Sequence, residues 1–150
     1  MIGVCIHLQY VHDPDTYLNK IRLESTALGA TDFIIIDNTN YNMGSCFTTH
    51  EMNVHVFDIL DEVEDHFSDV DFVYLEPQRV LGELVSIALP DFVHPENCIY
   101  VTGPDQSTIY RMGRENKTWI HIPIAIDHGV FYAETTQVLA LYDRSVKLWE

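Results

Sequence analysis

Eight histidines, three cysteines and twenty-three Asp and Glu residues are the side chains of this 150-residue chain best suited to move protons or bind metals. Their spacing excludes several chemistries. There is no His-Glu-x-x-His or Cys-x-x-Cys pattern, and His50 and His55, five apart, miss the spacing that sets two imidazoles on one helix face. No metal site is expected. His121 lies in the alternating run Ile120-His121-Ile122 and should face opposite to its neighbours. His128, beside Asp127 and Gly129, is a candidate pocket residue. Cys5, Cys46 and Cys98 are odd in number and widely spaced, so neither a disulfide framework nor a zinc site follows. Cys5 and Cys98 fall in apolar runs and read as buried free thiols. Glu134 has two readings: a base, or negative charge for the first turn of a helix.

The charge balance narrows the partners. A net charge of −15 with eight Lys and Arg leaves too few cations to coat a phosphate backbone. The sequence leaves room for a local basic patch where Arg111, Arg114 and Lys117 lie close together. Asp58 to Asp71 holds seven carboxylates, with Ile59, Leu60, Val63 and Phe67 at helical spacing opposite them. This reads as a solvated helix face, with a basic partner or a high-salt host as the other readings. No apolar run reaches the ~18 residues of a membrane span. Met1-Ile2-Gly3-Val4-Cys5 lacks the basic start of a signal peptide, so a cytoplasmic protein is expected.

Those residues need a scaffold, and the periodicities supply one. Strands are predicted at Ile2 to Leu8, Asp32 to Asp37, Asn53 to Phe57, Phe72 to Leu75, Asn97 to Thr102 and Trp119 to Ile122. Helices are predicted over Asp15 to Leu28, over the acidic stretch, over Gln78 to Leu89 with Val80, Leu81, Leu84, Val85 and Ala88 inward, and over Phe131 to Leu148. Val138, Leu139, Tyr142, Val146 and Trp149 form the apolar stripe of the last helix. The Asn- and Gly-rich segment from Asn38 to Ser45 reads as a loop. Alternation of this kind predicts one α/β domain over residues 1–150, a parallel sheet with helices on both faces and ligands beyond the carboxyl ends of the strands. A dinucleotide-binding domain fails because Gln9-Tyr10-Val11-His12-Asp13, after the first strand, contains no Gly, and Asp37 alone does not restore it.

Three short motifs occur in a telling order. Asp13-Pro14-Asp15-Thr16-Tyr17-Leu18-Asn19-Lys20-Ile21-Arg22 follows the first strand; Ile99-Tyr100-Val101-Thr102-Gly103-Pro104-Asp105 ends a later one; Ile122-Pro123-Ile124 precedes a last helix containing Ala140-Leu141-Tyr142-Asp143. In this order they resemble the SpoU branch of the SPOUT RNA methyltransferases over nearly the whole chain. The family's first motif has Asn and Gly where Thr16 and Leu18 stand, its second has Glu at Asp105, and its third continues into Ser-Leu-Asn near Val130-Phe131-Tyr132.

The resemblance implies a minimal, single-domain member with a trefoil knot over about residues 98–150, and an RNA (tRNA or rRNA) ribose 2′-O-methyltransferase. It implies S-adenosylmethionine held by Leu75, Glu76, Thr102, Gly103, Pro104, Asp105, Ile122, Ile124, Gly129 and Val130. Arg22 matches the family Arg at the reacting ribose and phosphate, Thr16 stands in for the motif Asn, and Tyr132 or Glu134 would replace the lost polar residues of the third motif. It also implies a homodimer through the C-terminal helix, with Leu139, Tyr142, Val146 and Trp149 at the interface; packing of that stripe on the chain's own sheet is the other reading, and both can hold at once. The altered motifs keep a second expectation open: a non-catalytic knotted module that binds a protein or nucleic-acid partner, with or without the cofactor.

Overall fold

The computed structural model describes residues 1–8, 13–37, 52–104, 113–114, 116–125 and 131–149. The loop expected from Asn38 to Ser45, along with His50, Arg111, His128 and the site candidates Asp105, Gly129 and Val130, lies outside these residues. Among the described residues seven strands form one parallel sheet in the order β3-β2-β1-β6-β4-β7-β5: β1 (Ile2–His7), β2 (Asp32–Ile36), β3 (Asn53–Phe57), β4 (Asp71–Leu75), β5 (Ser86–Ala88), β6 (Cys98–Thr102) and β7 (Trp119–His121).

Alternate strand residues feed two cores, one on each face. Val4, Ile6, Phe33, Ile35, Val73, Leu75, Tyr100 and Ile120 pack with α1 (Pro14–Ala27) and α4 (Ala133–Leu148). Cys5, Ile34, Ile36, Tyr74, Ile99, Val101 and Trp119 pack with α2 (Leu60–His66) and α3 (Gln78–Leu81). Covering both faces explains why Phe33-Ile34-Ile35-Ile36 is continuously apolar. Burial pushes the Cys5 and Cys98 thiols up, which keeps both protonated.

Local chemistry sets the helix ends. Asp13 caps α1, accepting from Thr16 N (3.2 Å) and Thr16 Oγ1 (2.7 Å), with Pro14 in the first turn. Gly29, at φ 88°, follows its C-cap. The acidic helix is two turns, and Leu60, Val63 and Phe67 face inward as expected. Ile59 does not: as the extended N-cap it lies before the helical repeat and is half exposed.

Two helix expectations are corrected. Gln78 to Leu89 is one helical turn, a bend and a strand. Gly82 adopts φ 59°, ψ −118°, which ends α3, and Ser86-Ile87-Ala88 then pairs with β7 as an edge strand. Val85, expected inside, is 88% exposed. In α4 the buried stripe is Gln137, Ala140, Leu141 and Arg144, whereas Tyr142, Val146 and Trp149 point outward. Two members of the true inner stripe are polar because they reach backbone acceptors, so apolar periodicity picked the neighbouring stripe.

Polar contacts pin the far half of α4. Arg144 donates to the carbonyls of Pro95 and Glu96, and Lys147 Nζ donates to Leu89 O (2.9 Å) and Phe92 O (3.1 Å). His94 bridges Tyr100 Oη (2.6 Å) and Asp143 Oδ2 (2.8 Å), and Lys147 Nζ pairs with the same carboxylate oxygen at 2.6 Å. The His94 side chain is almost fully buried, and burial lowers its pKa below the ordinary 6.5 despite Asp143.

Candidate functional site

A narrow pocket opens beyond the carboxyl ends of β4 and β7. Glu76, Pro77 and Gln78 leave β4, Ile120, Ile122 and Ile124 belong to β7 and its exit, and Phe131 and Thr136 come from the start of α4. Strand ends of an open parallel sheet are where such folds bind ligands, because the loops there diverge. The lining is mainly apolar, with Gln78, Thr136 and Glu76 as its polar residues. That mixture of apolar walls and a few polar residues is the composition of a small-molecule site.

Beside the pocket, one side chain ties three elements together. Fully buried on α4, Gln137 donates through Nε2 to Cys5 O (3.0 Å), Tyr100 O (3.0 Å) and Thr102 Oγ1 (3.2 Å). The β1–β6 register runs from Ile2↔Cys98 to Cys5↔Val101, and the amide takes over near its end. Next to it His7 Nδ1 donates to Thr102 O (2.9 Å). Burial drives the His7 pKa below 6.5, with Arg114 acting in the same direction, so the ring is neutral and keeps its other nitrogen as an acceptor. Together they fix the end of β6, where the Thr102-Gly103-Pro104 turn begins.

Of the residues picked out in the sequence, Glu76, Ile122 and Ile124 meet in the pocket wall. Leu75 is 2% exposed and packs in the core beneath. Thr102 is held in the Gln137–His7 clamp, with Pro104 buried and Gly103 half-buried just after it. Ile120, Phe131, Thr136, His7 and Gln137 were not singled out for the site. Only the direction in which α4 docks reveals Phe131, Thr136 and Gln137, whereas Ile120 was legible from its place beside Ile122.

Thr16 and Arg22 sit on α1, away from the pocket lining. The Thr16 hydroxyl is donated to Asp13, and hydrogen bonds from Thr16 hold the Asp13 carboxyl below its ordinary range. Arg22 is buried, and its Nη2 donates to Asn19 Oδ1 at 2.9 Å. Tyr132, the N-cap of α4, is 67% exposed. Glu134 lies in the first turn of α4, half-buried, with Oε2 enclosed and unmatched by a hydrogen bond among the described residues. The local basic patch is diminished. Arg114 is buried and bound to Asp61 and Glu64 of α2, and Glu64 also accepts from Tyr74. Burial pushes the Glu64 carboxyl up, but the bonds from Arg114 and Tyr74 outweigh it and hold the pKa down. Among the described residues no group of His, Cys, Asp and Glu has a metal-binding arrangement, and no helix is long and apolar enough to cross a membrane.

The architecture has solved counterparts. The SpoU methyltransferase AviRb from Streptomyces viridochromogenes, in complex with AdoMet, superposes with a TM-score of 0.71 at 16% identity, covering 98% of this chain and 60% of that one. A structure describing the 2-OH methylation of C/U34 on tRNA gives 0.73 at 13% identity, covering 100% of this chain and 92% of that one. A putative RNA methyltransferase from Bacillus anthracis gives 0.66 at 15% identity, covering 98% and 95%. This chain thus has the α/β fold seen in SpoU-type methyltransferases. It spans about 60% of the length of AviRb, and most of the length of the other two. No protein-family model and no curated protein sequence matches it.

Proposed function

We propose that this protein is an S-adenosylmethionine-dependent RNA methyltransferase of the SpoU type, acting in the cytoplasm on a ribose 2′-hydroxyl of tRNA or rRNA. The observation that carries this reading is the pocket of Glu76, Ile120, Ile122, Ile124 and Phe131 at the carboxyl ends of β4 and β7, in a fold shared with an AdoMet-bound SpoU enzyme. When bound, the cofactor supplies a methyl group on a positively charged sulfur. The chain's part is to hold and orient. The isoleucines and Phe131 offer the apolar slot that a purine takes, and Gln78 and Thr136 offer hydrogen bonds at its rim. Leu75 and the clamped Thr102 fix the floor, and Gly103, Pro104, Asp105, Gly129 and Val130 complete the frame in this reading.

The acceptor hydroxyl is a weak acid, so placement and proton removal must supply much of the rate. Arg22 would steer the acceptor ribose and phosphate, with Thr16 and Tyr132 beside the substrate and Glu134 as proton acceptor. A homodimer through the outward stripe of α4 would bring Arg22 of one protomer toward the pocket of its partner. A trefoil knot over residues 98–150 belongs to the same proposal.

Calorimetric titration with S-adenosylmethionine tests the pocket, and absence of heat and of any thermal shift removes this function. Methyl transfer to bulk tRNA and rRNA, with Arg22→Ala as control, tests the chemistry; the variant should lose about 100-fold in rate, the usual reach of a positioning effect. One specific observation favours the second reading, a non-catalytic binding module: the Thr16 hydroxyl is engaged by Asp13 and Arg22 Nη2 by Asn19. Cofactor binding without transfer to any RNA would select it.

A further inference from the structure

We infer that Glu76 makes the pocket selective for charge, so that it holds the cationic sulfonium cofactor in preference to the neutral thioether left after methyl transfer. The inference rests on the pocket reading above. Glu76 is 7% exposed and directly follows β4, and its own N–H donates to Ile120 O (3.2 Å), which fixes the backbone at the pocket wall. Among the described lining residues it alone is charged. The others are the apolar Pro77, Ile120, Ile122, Ile124 and Phe131 and the neutral Gln78 and Thr136.

A carboxylate has about four acceptor positions, so it can meet a ligand while keeping its bonds to the protein. In an apolar-walled cleft the attraction between opposite charges is screened far less than in water. A cation entering the cleft therefore gains from Glu76, whereas a neutral ligand of the same shape must lie against the carboxylate with no such return. Methyl transfer makes that change. The S–CH₃ bond breaks and its electron pair stays on sulfur, which becomes an uncharged thioether. The acceptor oxygen gains the methyl and gives up its proton to a base or to solvent. Ligand shape barely alters, while the charge at sulfur falls by one. The amino-acid end carries the same charges before and after, so the difference in affinity between the two nucleosides reads the sulfur.

The test is calorimetry of the full chain with S-adenosylmethionine and with S-adenosylhomocysteine. Wild type should bind the sulfonium form about tenfold more tightly, roughly the effect of one partly screened charge contact. Glu76→Gln, nearly isosteric, should bring the two affinities within about twofold, mainly by weakening the cation. Glu76→Asp keeps the charge and should retain part of the preference. Added salt should reduce the wild-type ratio and leave that of Glu76→Gln unchanged. Thermal melts of both variants check folding. The inference is overturned if wild type binds both forms equally, or if Glu76→Gln weakens both alike or neither. Binding of neither nucleoside by wild type removes the pocket reading as well, which separates the two failures.

Discussion

Gln137 carries more of this architecture than its type suggests. Its amide serves three acceptors on β1 and β6 from a fully buried position. Gln137→Leu leaves those oxygens without their donor and should destabilise the chain by about 1–3 kcal/mol, read by urea unfolding. Gln137→Glu should be worse at pH 8, where an ionised carboxylate faces three oxygens, than at pH 5, where a protonated acid still donates. Residue choices of this kind were only partly visible beforehand. Glu76, Ile122 and Ile124 were legible because strand ends announce where ligands go. Gln137 was not, since a polar residue in a helix repeat looks solvent-facing until its carbonyl partners are known. The pairing of Arg114 is hidden for the same reason: the carboxylates that neutralise it lie 50 and 53 residues earlier.

At the level of elements, the six strands expected from apolar runs all form, and the seventh was hidden inside an expected helix. Val80-Leu81 and Leu84-Val85 fit a helical repeat, yet Gly82 at positive φ and the open edge of β7 favour a turn and a strand. Tertiary hydrogen bonding overrode local periodicity there. Gly82→Ala should cost about 1 kcal/mol or more through backbone strain alone, because a Cβ at Gly82 would meet nothing within 4 Å. Chemical denaturation measures that loss. The orientation of α4 likewise depends on partners rather than on its own pattern. Its outward Tyr142, Val146 and Trp149 are 58%, 44% and 88% exposed. If they form the proposed dimer contact, Tyr142→Asp combined with Val146→Asp should convert a dimer to a folded monomer in sedimentation experiments.

For the molecule as a whole, two buried histidines contribute to the loss of stability in acid. Both His7 and His94 have folded pKa values below the ordinary 6.5. Between those values and 6.5 the unfolded chain binds more protons than the folded one, so stability is complete above pH 6.5 and declines as pH falls through that window. The slope should approach about 1.4 kcal/mol per pH unit for each histidine, and His94→Gln should reduce it in pH-dependent unfolding curves. The Gln137 contacts have a further consequence, because its bond to Cys5 spans 132 residues. Phe131 and Thr136 of the pocket come from the same late segment. Ribosomes deliver a chain in order, so the pocket cannot exist on a nascent chain until Phe131 and α4 clear the exit tunnel. Closing contacts of such separation makes their docking a slow, late event. Ligand capture would then report that synthesis has passed α4, and a chain halted before residue 131 would keep its strands while lacking the pocket.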